Sequence, residues 1–327
     1  AYQQRNLNSN FSGPIIRNKL SLNMNLRNSE NQNSDTIRAN LLLPNGDIQQ
    51  FSAPVVMPTV NRNLNARSQW AVTKNNTMNI NLEYGRSDNK NQGVGGFNLQ
   101  ERASVRTQRN MELQMRETAI LTKSMVHEFR FEYRRDRSQQ APKTNGVAIN
   151  VLDSFFAGGG QNRNSGTNRN LELGDLLMYS GAKWTVKSGF QSVYRMDNSL
   201  SENNFIGTYT FSSLKCRAPN PLDPKDDPCS GAYEAGRPTT FTVNRGDPKL
   251  DANQLEAGAF LQTDWKVTKI FNLSMGFRYE AQANIGDHNN FDPRLGVAYQ
   301  ISKTMALRGG AGFFHQRFDR NTFEEML

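Results

Sequence analysis

The sequence predicts an all-β protein in which antiparallel strands form a β-barrel that spans a membrane. Three observations support this prediction. Many stretches alternate between apolar and polar residues, short turns that carry a lysine join some of these stretches, and much longer polar stretches join the others. Transmembrane barrels have this organisation, because their strands alternate in polarity and their connections are short at one end and long at the other.

The strands are predicted from apolar residues at every second position. Residues 78–84 have apolar side chains at the even positions and Asn or Glu at the odd ones. In residues 273–279 the odd positions are apolar. A helix would instead place apolar residues three and four positions apart. The pattern therefore predicts β-strands.

Alternation of this kind recurs along most of the chain. It predicts hairpins at about 4–30, 61–88, 108–137, 168–197, 253–283 and 292–318, with weaker strands at 36–44, 206–213 and 238–245. Together these stretches give about 12 to 15 strands.

The connections between the strands predict two different ends of the barrel. The short turns carry Lys74, Lys123, Lys183, Lys269 and Lys303, which we expect on one rim. Long loops are predicted at roughly 85–107, 138–167 and 198–252, on the opposite rim. In bacterial membrane barrels the short turns are periplasmic and the long loops are extracellular.

Alternation alone also fits a soluble sandwich, whose strands have one wet face. Two features favour a membrane barrel. The predicted strands are about 10–15 residues long, whereas strands of soluble proteins are usually about 5–6 residues long. Aromatic residues such as Trp70, Trp184 and Trp265 lie near predicted strand ends, where membrane barrels have aromatic girdles.

Composition excludes several other classes of protein. No run approaches the roughly 18 apolar residues of a membrane helix. The net charge is +9, but the basic residues are spread along the chain and no nucleic-acid-binding motif accompanies them. We therefore expect no nucleic-acid partner. Arginines that line a polar lumen or contact lipid phosphates account for the charge.

No arrangement of residues predicts catalysis. The three histidines, His127, His288 and His315, are far apart in the sequence, and no catalytic triad or metal-binding motif includes them. We therefore expect no enzymatic activity, no catalytic residues, no cofactor and no bound metal. His127 shares a strand face with Phe129 and is expected near the membrane boundary.

Both cysteines lie in one long loop rich in proline and aspartate. Cys216 and Cys229 are too far apart for the close cysteine pairs of metal sites. Their spacing fits a local disulfide formed in an oxidising compartment, and two free thiols are the alternative. The acidic residues between them lack the spacing of an EF-hand calcium loop.

The chain begins without the basic start and apolar core of a signal peptide. We expect that residues 1–327 are either a mature chain or an internal fragment of a longer protein.

Several segments resemble one family of membrane barrels. Residues 261–280, which include Asp264, Trp265 and Lys266, resemble the barrel of TonB-dependent outer-membrane receptors. The best match is the Oar-like group, which usually has an N-terminal carboxypeptidase-regulatory-like domain. Further segments are similar to this group in the expected order: 12–20, 207–211, 233–238, 292–299 and 307–314.

The resemblance implies a barrel of about 22 strands around a plug, located in the bacterial outer membrane. Residues 1–327 would then be a partial barrel domain without the plug and the C-terminal strands. The loops near 138–167 and 198–252 are expected to contact an unidentified extracellular ligand. The expected partners also include outer-membrane lipid, lipopolysaccharide, and the TonB complex through a missing N-terminal region.

The implied function is energised uptake of an unidentified solute. Two alternatives remain open at this point. The barrel could anchor exposed loops as a structural or adhesive surface protein that imports nothing. A soluble β-rich protein that binds carbohydrate is the third reading of the sequence.

Overall fold

The computed structural model describes residues 3–223 and 225–315 of the chain. Within these residues there are sixteen strands and one 3-10 helix, Gln100–Arg102. The strands of a large sheet are β1 (Gln3–Ile16), β2 (Leu20–Leu42), β3 (Ile48–Thr73), β4 (Asn76–Gln92), β5 (Ser104–Thr122), β6 (Met125–Pro142), β9 (Asn162–Ser180), β10 (Trp184–Asn203), β13 (Lys249–Lys266), β14 (Phe271–Gln282), β15 (Phe291–Gln300) and β16 (Ala306–Gly312). A small sheet contains β7 (Ala148–Val151), β8 (Phe155–Gly158), β11 (Thr208–Phe211) and β12 (Thr240–Thr242).

The large sheet is a meander of twelve strands in chain order, apart from the small strands inserted in two connections. Every neighbouring pair is antiparallel. The predicted all-β, antiparallel fold class is therefore confirmed. Within the described residues β1 and β16 form the two edges, so the described wall is open between them. No described helix is long and apolar enough to cross a membrane.

The register aligns residues of similar polarity into rows across the sheet. One row on the outer face is apolar and contains Ile80, Met115, Phe131 and Leu173, on β4, β5, β6 and β9. The residues next to these along each strand form a polar row on the inner face: Asn81, Gln114, Glu132 and Glu172. The polar face lines a concave space of about 790 Å³, so it faces the lumen.

The five lysine turns lie at one end of the sheet. Lys74, Lys123, Lys183, Lys269 and Lys303 occupy connections of two to five residues between consecutive strands. A sixth turn, at 17–19, joins β1 to β2 at the same end. We call this end the short-turn end and the opposite end, with the longer connections, the long-loop end.

The strands extend further toward the long-loop end than predicted. The predicted loop 85–107 shrinks to 93–103, because β4 continues to Gln92 and β5 begins at Ser104. The predicted loops 138–167 and 198–252 shrink in the same way, to 143–161 and 204–248. The stretch 36–44, predicted as a separate weak strand, is the end of β2. Most of these strand ends are polar on both faces, so alternation did not mark them, whereas the end of β2 is reversed in polarity and was therefore predicted as a separate strand.

The reversal of polarity is clearest in the hairpin of β2 and β3. Near the short-turn end the inner face of β2 has polar residues, such as Asn23 and Asn25. Toward the long-loop end the same face becomes apolar, with Ile37 opposite Ala53 and Ala39 opposite Phe51. The register is continuous between the two regions, so the apolar side chains change faces without a break in the strand.

The apolar end of this hairpin packs against the long connections. Ile37, Ala39 and Val55 form one buried cluster with residues of the three connections: Val94, Ala103, Val151, Phe155, Ala157, Phe211 and Leu214. Backbone hydrogen bonds join the parts, since the Arg38 N–H donates to Gly96 O at 2.7 Å and the Asn40 N–H to Ser154 O at 3.0 Å. We call residues 33–58, 93–103, 143–161 and 204–248 together the loop cap.

The small sheet forms the centre of the loop cap. Its order is β12-β11-β7-β8, and β11 pairs with β7 in parallel although about 60 residues separate them in the sequence. Phe155 and Phe211 each contact the ring of Tyr233 edge-on, at 5.1 and 5.3 Å between centroids. The connections are therefore folded on a core of their own.

The cysteine-containing segment lies at the long-loop end. The Sγ atoms of Cys216 and Cys229 are 2.04 Å apart, a bonding distance. Within the segment, Asp226 forms an ion pair with Arg217. Hydrogen bonds lower the pKa of the Asp226 carboxyl below its usual value; the bond from Arg217 has the larger effect, and the bond from the Asn220 N–H the smaller one. The Lys215 ammonium also donates to Gly46 O at 2.8 Å, which joins this segment to the β2–β3 hairpin.

We expect the disulfide to stabilise this segment of the loop cap and not the barrel wall. Replacing both residues, Cys216→Ser with Cys229→Ser, removes a cross-link that closes a short loop. It should lower the free energy of unfolding of the segment by up to about 3 kcal/mol. Limited proteolysis of the folded protein, with and without reductant, measures this as faster cleavage within 204–248. Equal cleavage of the wild-type protein with and without reductant would contradict the prediction. As a control for the barrel, the change in electrophoretic mobility on heating should be the same in the wild type and the variant.

Candidate functional site

The lumen wall is built from the inward residues of the large sheet. Some of its carboxylates accept hydrogen bonds from side-chain amides. Gln114 donates to Glu112 at 2.6 Å and to Glu132 at 3.1 Å, and Gln191 donates to Glu172 at 2.9 Å. These side chains are neighbours because every second residue of each strand faces the lumen, and the inward residues of adjacent strands lie side by side.

Arginines on the same face pair with other carboxylates. Arg116 and Arg130 both approach Glu128, at 3.8 and 3.1 Å, and Arg134 pairs with Asp136 at 2.8 Å. Further along the wall Arg195 forms an ion pair with Glu256, and Arg278 with Glu280. The inner face is therefore a lattice of polar contacts suited to a hydrated or polar occupant.

A second cavity, of about 670 Å³, lies in the loop cap. Apolar side chains line most of it: Ile37, Leu41, Phe51, Val55 and Leu99. Glu101 and Lys143 add charge of both signs to the lining. Nearby, Arg102 donates to Gly159 O at 2.9 Å, and burial lowers the pKa of this guanidinium. The cavity can hold an apolar group beside polar contacts.

The three histidines singled out in the sequence lie apart in the structure. His127 shares the outer face with Phe129, as predicted, and its Nε2 atom is 2.7 Å from Asp175 Oδ2. His315 Nδ1 is 2.6 Å from Asp292 Oδ1. Among residues 3–223 and 225–315, no three His, Cys, Asp or Glu side chains are grouped so that they could hold a metal ion.

Sequence reasoning missed the loop cap as a folded unit. It assigned the stretches at 206–213 and 238–245 as weak strands, and these contain β11 and β12, but it had no means of pairing them. One signal was present in the sequence, namely the shift of apolar residues from even positions at 20–26 to odd positions at 37–41. That shift indicates that the strand leaves lipid and packs its other face.

Comparison with known proteins agrees with this geometry. A family model described as "Outer membrane beta barrel domain" matches residues 23–287 and 282–327. No curated protein sequence is significantly similar to the chain.

Solved structures with a similar fold are outer-membrane transporters and receptors. The outer membrane transporter YddB from Escherichia coli aligns with a TM-score of 0.57 and 12% identity, over 92% of this chain and 36% of that chain. FpvA of P. aeruginosa, bound to heterologous pyoverdines, aligns with a TM-score of 0.52 and 12% identity, over 94% and 40%. A variant of the ferric enterobactin receptor PfeA from Pseudomonas aeruginosa aligns with a TM-score of 0.50 and 12% identity, over 94% and 41%.

The chain thus spans roughly two fifths of the length of these structures. At such low identity the likeness concerns the fold, and the neighbours are transporters and receptors rather than enzymes. The family match covers more than half of the chain, and outer-membrane location follows from it. The chain belongs to the family of outer-membrane β-barrel domains.

Proposed function

We propose that the chain forms part of the wall and the loop cap of a TonB-dependent outer-membrane receptor that imports a solute. The observation that carries this proposal is the folded loop cap at the mouth of a polar lumen. A polar inner face lets a hydrophilic solute cross the apolar layer, and a cap with its own core provides a fixed binding surface. The likeness of the fold to YddB, FpvA and PfeA supports the same class of function.

The proposal includes an orientation and a domain layout. The short-turn end is periplasmic and the long-loop end is extracellular, as in other bacterial barrels. The twelve strands of the large sheet form part of a wall of about 22 strands, within a longer protein of the Oar-like group that also has a plug. The TonB complex contacts the protein through a region before residue 1.

Solute capture is assigned to the loop cap. Its cavity offers the apolar side chains of Phe51 and Leu99 beside the charges of Glu101 and Lys143. A ligand with an apolar part and ionic or hydrogen-bonding groups fits this lining. The adhesive alternative is favoured by one feature, namely that a stable cap also suits attachment to a surface.

The orientation can be tested by cysteine labelling in intact cells. In a Cys216→Ser, Cys229→Ser background, Leu222→Cys should react with a membrane-impermeant maleimide, because Leu222 is 91% exposed at the long-loop end. Lys123→Cys, in a short turn, should react only after the outer membrane is permeabilised. Reaction of Lys123→Cys alone in intact cells would reverse the assigned orientation.

Import can be tested without knowing the solute. Mass spectrometry of the spent medium should find a solute that wild-type cells remove and that cells lacking either this protein or TonB leave behind. When the deleted gene is returned to the strain, the cells should again remove the solute from the medium. Identical media from all strains, combined with weaker attachment of the deletion strain to surfaces, would overturn the import proposal and support adhesion.

The connection 143–161 of the loop cap can be disrupted by a substitution that lies outside the strands of the wall. Val151 has no exposed surface, whereas the adjacent Leu152 is 44% exposed. Val151→Asp should destabilise the cap by about 3–5 kcal/mol, because it buries an unpaired carboxylate. Uptake of the solute found above should fall at least tenfold in this variant, while Leu152→Asp, the matched control, retains it. If cells with Val151→Asp took up the solute normally although protease cleaved the destabilised loop cap, the loop cap would have no part in solute capture.

A further inference from the structure

Arginines are concentrated on one part of the outer face, toward the long-loop end. They lie on five neighbouring strands, β3, β4, β5, β6 and β9. We call this set the arginine belt, and it consists of Arg62, Arg86, Arg109, Arg135, Arg137 and Arg169.

The register places these arginines directly beside one another. Arg62 is opposite Arg86, Arg86 is opposite Arg109, and Arg109 is opposite Arg137, so four arginines form one row across four strands. In the adjacent row Arg135 is opposite Arg169. With about 4.8 Å between strands, the row of four extends about 14 Å. Like charges directly opposite one another destabilise a sheet, so an anion at this position would be stabilising.

The belt faces away from the lumen. Arg86 lies two residues after Tyr84 and Arg135 two residues after Tyr133, and both tyrosines belong to the apolar outer face. No shift of register occurs between each tyrosine and its arginine. The side chains of the belt therefore continue the outward row of each strand.

The chain itself neutralises only part of this charge. Asp88 pairs with Arg86 at 2.8 Å and with Arg62 at 3.3 Å. In the part of the chain that the structure describes, the other four arginines form no ion pair or side-chain hydrogen bond. The Nε atom of Arg135 is buried and has no hydrogen-bond partner among the described residues, which is costly in a folded protein.

The depth of the belt matches one boundary of the membrane. Arg135 lies ten residues after Met125, the first residue of β6 at the short-turn end. A strand tilted by about 40° advances about 2.5 Å per residue along the barrel axis, which places Arg135 about 25 Å from that end. The apolar band of a membrane barrel is about 25 Å tall. The belt thus lies where lipid head groups of one leaflet begin.

Guanidinium groups bind phosphate with paired, charge-assisted hydrogen bonds. The belt is also local, because the equivalent positions hold no arginine: they are Met196 and Asn198 on β10, and Asn253 and Asp251 on β13. A confined group of arginines at head-group depth suits discrete phosphate groups better than diffuse attraction to a charged surface.

We propose that the arginine belt binds the phosphate groups of lipopolysaccharide in the outer leaflet. The row of four arginines is long enough to engage two phosphates at once, and Arg135 and Arg169 extend the contact toward the acyl chains. This inference rests on the orientation proposed above, which places the long-loop end outside the cell.

The test compares two variants of the protein purified from outer membranes in mild detergent. The belt variant has Arg109→Gln, Arg135→Gln and Arg137→Gln. The matched control has Arg116→Gln, Arg130→Gln and Arg134→Gln, which remove the same charge from the same two strands on the lumen face. The belt variant should retain at least tenfold less lipopolysaccharide per protein than the wild type, and the control should retain the wild-type amount.

Purified ligands distinguish the possible sources of phosphate. Lipid A with two phosphates should bind the wild type more tightly than lipid A with one, and neither millimolar inorganic phosphate nor vesicles containing half phosphatidylglycerol should displace it. Displacement by either competitor would overturn the assignment to lipopolysaccharide. A variant with lysine at positions 109, 135 and 137 should recover part of the binding to lipopolysaccharide, because lysine restores the positive charge. A variant that had lost binding through misfolding would not recover it.

Equal retention by the belt variant and the wild type would overturn the inference while leaving the proposed function intact. The cysteine labelling described above tests the proposed orientation separately, because it reports which end of the protein is outside the cell whether or not lipopolysaccharide binds to the belt. Labelling at the short turns alone would place the belt in the other leaflet and remove the basis of this inference.

Discussion

The fold depends on the antiparallel register of the large sheet. A strand inside a bilayer finds no water for its backbone N–H and C=O groups, so its neighbours must supply every hydrogen bond. The pairing that satisfies this requirement also fixes which side chains share a row. The apolar row through Ile80 and Phe131, the polar row through Asn81 and Glu132 and the row of arginines are all consequences of one register.

The sequence predicted those parts of the fold that depend on neighbouring residues. Alternation over a few positions located the long strands, and short polar turns located the hairpins, because both are local. The loop cap depends on contacts between distant segments. The parallel pairing of Ala148–Val151 with Thr208–Phe211, and the packing of Phe155 and Phe211 around Tyr233, have no local signature. The sequence contains every arginine of the belt, but only the register shows that they are adjacent.

The inner and outer faces use their charges differently. On the inner face many carboxylates accept hydrogen bonds from Gln and Asn or pair with Arg, so much of their charge is balanced within the wall. On the outer face the arginines outnumber the acidic partner Asp88. The first arrangement keeps the inner face polar with little unbalanced charge, and the second leaves charge that an anionic neighbour can balance.

The change of apolar face along β2 has a consequence for how the protein sits in the bilayer. Leu22 and Leu26 face outward below the change, whereas Ile37 and Ala39 face inward above it. Sinking the barrel would bring the outward Asn28 and the opposite Arg62 into hydrocarbon, and raising it would bring Leu26 toward water. Both displacements are unfavourable, so this hairpin contributes to the depth of the wall in the bilayer. It also holds the cap at a constant height above the lipid.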